Sequence, residues 1–209
     1  MIYLTWSTIL AFAATCLAIE ITPGPNMTYL AVLGVSHGRR AGLAAVMGVA
    51  VGLLVIGLAA ALGLAAVISS SPTLYEVMRW AGVIYLLWLA WEAWDEAGDA
   101  AVEELDPVAM YGPLFWRGLI TNLLNPKAAL FYIAVLPTFV ERHRPVLGQT
   151  IELSLIYVLI ATAIHASIVI LAGGLRPLID NPNRRRQIRR LLSLVLAAVA
   201  VWFAVNTSR

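Results

Sequence analysis

Charge is what this sequence has least of. Only 12% of its 209 residues are Asp, Glu, Lys or Arg, and 61% are hydrophobic, where an ordinary globular chain carries about 25% charged residues. That shortage excludes a water-soluble globular domain and predicts a membrane protein. A net charge of +2 is spread too thinly to attract nucleic acid, so the placement of Lys and Arg along the chain is the informative quantity. Cysteine is nearly absent: Cys16 stands alone inside an apolar run. A lone thiol excludes an internal disulfide and a dithiol redox pair, and Cys16 reads as a small core residue. His37 and His143 lie beside arginines without a Cys or acidic cluster, which argues against a metal site, and no cofactor is expected. The first twenty residues lack the basic stretch of a secretory signal and run on into a longer apolar segment, so they are expected to remain as a first span.

What is present is apolar sequence in long windows. Segments able to cross about 30 Å of hydrocarbon as helix fall at Thr5 to Val35, Ala41 to Ile68, Leu74 to Trp94, Leu114 to Val140, Ile151 to Leu171 and Leu191 to Val205. The expected fold is therefore all-α, a polytopic membrane protein of six transmembrane helices. Arg39, Arg40, Arg117, Arg176, Arg184, Arg185, Arg186, Arg189 and Arg190 collect in the first, third and fifth connections. The other side holds Arg79, Arg142, Arg144 and Arg209. Positive charge marks the cytoplasmic side, so both termini are expected outside. An acidic linker at 99–113 divides the chain into 1–98 and 114–209, each with three spans. Three is odd, so two similar halves would lie in opposite senses across the bilayer, the inverted-repeat plan of many secondary transporters.

Two stretches break the apolar pattern: EITPGPNM at 20–27 and TNLLNPKA at 121–128. Proline removes a backbone donor and ends a helix, so the first and fourth spans are expected to be broken, at Pro23, Gly24, Pro25, Asn26 and at Asn125, Pro126, Lys127. Backbone groups freed at membrane depth are tolerated only where protein or a water-filled cavity satisfies them. The two new helix N-termini are candidates to face a carboxylate. Glu20, on the last turn before the first break, is a candidate to bind an ammonium group, to carry a proton, or to pair with Lys127 as structural glue. Lys127, at the middle of its window, is a candidate to hold a substrate carboxylate, with charge neutralisation of Glu20 as the alternative. His165, in the middle of the fifth span, is either a hydrogen-bonded core residue or a proton carrier. Gly34, Gly38 and Gly42, then Gly48 and Gly52, repeat every four residues and read as close helix-packing faces, which also permit a homodimer. Trp80, Tyr85, Trp88, Trp91 and Trp94 crowd the third span as interfacial and lipid-facing anchors.

The stretches ITPGPNMTYLAVLGVSHGRRAGLAAVMGVAVG, RWAGVIYLLWLAWEAW and FWRGLITNLLNPKAALFYIAVLPTFV together resemble the LysE/RhtB family of bacterial amino-acid exporters, over nearly the whole chain. The resemblance implies an inner-membrane protein that expels amino acids or close derivatives, driven by the proton gradient. It puts the family signature on Pro23, Gly24, Pro25, Asn26, Gly38, Gly42, Gly48, Gly52, Asn122, Asn125, Pro126, Lys127 and Pro137. Members resembling exporters of lysine and arginine often carry an Asp just past the second-span glycines, where this chain has Leu53; a neutral or small substrate is therefore expected. Two rivals remain. An ion or metal exporter could use the same scaffold. An intramembrane hydrolase would need a nucleophile beside His165, for which Ser154 and Ser167 are the only serines offered, and Ser167 faces another side of the helix.

Overall fold

The computed structural model describes residues 4–22, 24–63, 71–95, 107–141, 143–174 and 182–206. Among these residues there is no strand. The helices are α1 (Trp6–Ile21), α2 (Pro25–His37), α3 (Arg39–Ala61), α4 (Pro72–Asp95), α5 (Pro107–Leu123), α6 (Pro126–Leu130), α7 (Val146–Gly174) and α8 (Pro182–Asn206). Between α6 and α7 the backbone widens into a π turn, Phe131–Val135, and then tightens into a 3₁₀ turn, Leu136–Phe139. Pro137 has no N–H to return to the carbonyl a turn earlier, which is the local reason regular α-helix stops here.

Apart from their ends and the two breaks, the apolar windows of the sequence fall on helix, with Pro23 in the first window and the end of the second, from 64 to Ile68, lying outside the described residues. By length and composition, α3 and α7 are each long and apolar enough to cross a membrane. The α1/α2 pair and the pair that starts with α5 qualify as spans only when each is taken together, bent by 61° and 51° at its break. Within α4 and α8 the apolar cores are shorter, Trp80–Glu92 and Arg190–Trp202. Among the described residues, two to four spans thus meet the length test, where six are expected from the sequence. The expected linker 99–113 lies outside the described residues as far as 106, and 107–113 form the first turns of α5, opened by a proline at its first position.

Helix α3 lies at the centre, packed on α5 and α7, while α4 packs on α8 and α7 also contacts α1 and α2. Without a hydrophobic force between helices in lipid, such contacts depend on close approach of backbones. Glycine supplies it. A methyl group at Gly48 would run into the Phe115 carbonyl, and one at Gly118 into the Ala45 carbonyl. Gly34 and Gly42 receive Val169 of α7, and Gly52 faces the Asn122 amide. These faces are filled within the chain rather than offered to a second copy. Gly38 serves differently: at φ 87° it turns the backbone between α2 and α3 in a conformation that favours glycine. The outer surface is apolar, with Leu10, Leu58, Ile84, Trp91, Leu159 and Val205 all exposed, as a surface meeting acyl chains requires.

Candidate functional site

The first break opens where α1 stops at Ile21. Thr22 leaves the helix with extended backbone, and its own N–H and hydroxyl turn back to Ile19 O and Ala18 O, at 3.2 Å each. Pro23, expected at the centre of the break, lies outside the described residues. Gly24 is extended and gives α2 no side-chain cap. Pro25 opens α2, and the first backbone bond inside it runs from Thr28 N to Gly24 O at 3.0 Å. The N–H groups of Asn26 and Met27 precede that bond, so the helix supplies them no acceptor.

The freed Thr22 carbonyl is bound from the other half of the chain. Lys127, the chain's one lysine, donates from Nζ to Thr22 O at 2.7 Å. A cation on the last carbonyls of a helix is favourable for both the hydrogen bond and the helix dipole. The lysine stem lies along Gly24, whose missing side chain leaves room for it: a Cβ there would stand 3.2 Å from Lys127 Cδ.

The second break finishes itself. Asn125 N donates to Asn122 O at 3.0 Å, and Asn125 Oδ1 accepts from Lys127 N at 3.0 Å, capping α6. Pro126 then stands at the first helical position, where its absent N–H costs nothing. Both N-termini were expected to face a carboxylate. At α6 the local cap takes one of those donors, and the helix is only five residues long; α2 has no side-chain cap.

Between the breaks lies a small cavity of about 10 Å³, room for about one water molecule. Glu20, Gly24, Asn26, Asn122, Asn125, Lys127 and His165 all line it, so seven of the sequence candidates converge there from five helices and the two breaks. Pro25 and Pro126 shape the breaks by starting α2 and α6. Asn26 Nδ2 donates to Asn122 Oδ1 at 2.8 Å, joining the halves, while Asn26 Oδ1 and Asn122 Nδ2 stay buried without a hydrogen bond.

Glu20 is 4% exposed. Its Oε1 accepts from Tyr157 OH at 2.7 Å, and its Oε2 stands 3.4 Å from His165 Nε2. That is ion-pair distance, but neither ring nitrogen of His165 makes a hydrogen bond. Glu20 and Lys127 therefore have separate partners: α7 supplies those of Glu20, and the end of α1 supplies that of Lys127. Ser154 and Ser167 donate to Thr150 O and Ala163 O at 2.6 and 2.7 Å, so neither hydroxyl is engaged by His165.

Met27, Ala128 and Tyr157 also line the cavity and were not anticipated. Tyr157 had a signal: with Ala161 and His165 it forms a four-residue spacing, which places all three on one helix face. Leu53, singled out in the sequence for the absence of an acid, forms an apolar part of the wall and is 1% exposed.

The family described as LysE type translocator matches residues 17–207. The chain is 25% identical over 194 residues to the homoserine/homoserine lactone efflux protein of Salmonella typhimurium, covering 93% of this chain and 94% of that protein. It is 28% identical to the leucine efflux protein of Klebsiella pneumoniae, covering 94% and 92%. It is 31% identical to the leucine efflux protein of Salmonella choleraesuis, covering 75% and 74%. No solved structure matches. With a family match across nearly its whole length and two broken helices joined at one buried polar site, the chain belongs to the LysE-type translocators.

Proposed function

We propose that this chain is a bacterial inner-membrane transporter that exports amino acids with neutral or small side chains in exchange for protons. The observation that carries the proposal is the meeting of the two breaks: the Lys127 ammonium on the Thr22 carbonyl, beside a cavity that also holds Glu20 and the open start of α2. An α-amino carboxylate has one group for each pole of that site. The carboxylate suits the N–H groups at the start of α2 and the Lys127 ammonium. The ammonium suits Glu20. Leucine and homoserine, named for the relatives, both lack a charged side chain, and the Leu53 wall offers none a partner.

The cavity holds about a water's volume, about 10 Å³, so an amino acid enters only as the breaks part. In the proposed cycle the substrate carboxylate takes Lys127 from the Thr22 carbonyl, freeing the two halves to rock against each other. A proton arriving from outside through His165 neutralises Glu20 and releases the ammonium, and its departure inward resets the site. The six-span inverted repeat fits this cycle. Helix α3 packs on α5 much as α7 packs on α1 and α2, the exchange of partners expected when two halves swap places about an in-plane axis. The arginine bias supports termini on the outer side.

The test is efflux of a panel of labelled amino acids and metal ions from proteoliposomes under an imposed pH gradient, with Glu20→Gln and Lys127→Ala beside the parent. Export of uncharged amino acids by the parent alone is expected. Unaltered export by both variants would remove the site, and export of metal ions in place of amino acids would replace the substrate.

A further inference from the structure

We propose that Tyr157 is the positioning residue of the coupling site: its hydroxyl aims the Glu20 carboxylate at His165, and its ring fastens that carboxylate to the wide turn behind the second break. The proposal rests on the coupling role given above to Glu20. Tyr157 is 1% exposed, and its hydroxyl donates to Glu20 Oε1 at 2.7 Å. A carboxylate held by one oxygen has its other oxygen directed, and here Oε2 faces His165 Nε2 at 3.4 Å. Hydrogen bonds to ionised acceptors are the strong ones, so this contact governs where the carboxylate points.

The ring has a second task. It stacks on Phe131 with centroids 3.7 Å apart and planes 17° from parallel, and it meets Tyr132 edge-on at 5.6 Å. Phe131 and Tyr132 are the first two residues of the π turn. Tyr132 is itself tied to α3 through its hydroxyl on Leu53 O at 2.9 Å, and Phe131 touches Phe12 of α1 at 5.8 Å. A π turn is a rare, functional-site geometry. A one-residue shift of that ladder toward α-helix would carry Phe131 away from the Tyr157 ring. The orientation of Glu20, on the first half, thereby comes to depend on the conformation of the second. The groups that face Glu20 are Tyr157 and His165 of α7, Lys127 of α6, Cys16 one turn back on α1 and Tyr132 of the π turn.

A hydroxyl that only satisfies a buried carboxylate would lower stability and leave coupling alone. The two roles separate in proteoliposomes loaded with labelled leucine or homoserine, by measuring exchange at equal pH and uphill efflux across a pH gradient. In Tyr157→Phe, which keeps the stack, uphill efflux should fall about tenfold, the scale of one charge-assisted hydrogen bond, and several times further than exchange does. Its pH midpoint should move by about half a unit or more. Phe131→Leu, which keeps the hydroxyl and removes the stack, should move the midpoint in the same sense by less. Adding Tyr157→Phe to Glu20→Gln should change nothing further, because the two act as one unit. A parental pH profile in Tyr157→Phe, or exchange and uphill efflux falling by one common factor, would overturn the role of Tyr157. If Glu20→Gln keeps uphill efflux, the coupling role of Glu20 falls and takes this one with it; if Glu20→Gln loses it and Tyr157→Phe does not, Tyr157 alone is at fault.

Discussion

The two breaks have kindred sequences, a proline next to an asparagine in each, yet they are finished in opposite ways. At the second, Asn125 caps its own short helix and the backbone bonds close locally. At the first, Gly24 offers no cap, and the loose carbonyl of Thr22 is bound by a lysine some hundred residues away. A break completed from within is a fixed joint. One completed by a side chain from the opposite half can be undone by any ligand that competes for that side chain. The difference assigns the working part of the proposed cycle to the first break and the supporting part to the second.

If that division is right, the largest effect belongs to Glu20, which ends the helix leading into the first break. Glu20→Gln keeps the size of the side chain and an acceptor for Tyr157 but cannot become an anion. Proton-driven uphill efflux is expected to fall to that of protein-free liposomes. A variant that still concentrates substrate against its gradient would move coupling away from the first break.

Next comes Lys127→Met, which retains the apolar stem and removes the donor. It takes from the Thr22 carbonyl its charge-assisted donor, a contact worth about 1.5 kcal/mol, roughly tenfold in an equilibrium. Efflux should fall by about that factor, and Lys127→Arg should recover only part of it, since a planar fork does not replace a compact ammonium. Efflux in Lys127→Met equal to the parent would erase the distinction between the two breaks.

Sequence alone revealed the breaks but not their asymmetry, and the reason is physical. Proline's missing N–H is a local property, so Pro25 and Pro126 announced where helices begin. An intramembrane Glu20, Lys127 and His165 are costly enough to single themselves out. Which of them pair is decided by the packing of helices far apart in sequence. Lys127 could equally have met Glu20, but its stem lies along Gly24 and its ammonium is on Thr22. Tyr157 escaped notice because a tyrosine in an apolar helix looks like an interfacial anchor until its hydroxyl is seen on Glu20. The glycines at Gly48 and Gly52 were legible as packing faces, since their spacing is itself the cause of close approach. Gly38 shares that spacing by coincidence and serves a turn.

A smaller effect should come from the bond that joins the breaks. Asn26→Ala and Asn122→Ala each remove one partner of the 2.8 Å amide contact, and as a pair they should show a coupling of about 1 kcal/mol in a double-mutant cycle on thermal stability in detergent. Additive losses would mean that the halves are held together by helix packing alone. Gly52→Ala should mimic Asn122→Ala in part, because a methyl group there would press on the Asn122 amide at 2.8 Å.

The smallest effect on transport is expected where the break is self-sufficient. Asn125→Ala removes the cap from α6, leaving Lys127 N without its acceptor at 3.0 Å. Losing such a cap costs about 1 kcal/mol, which should appear as a fall in melting temperature of about 2–4 °C. Efflux should remain within about twofold of the parent, because the Lys127 side chain still reaches Thr22 and the α2 start is untouched. Asn125→Asp, which keeps the accepting oxygen, should restore the melting temperature. Should Asn125→Ala instead abolish efflux while the protein stays folded, the second break would be taking part in the cycle through its own N-terminus, and the two breaks would be working partners rather than a moving one and a fixed one.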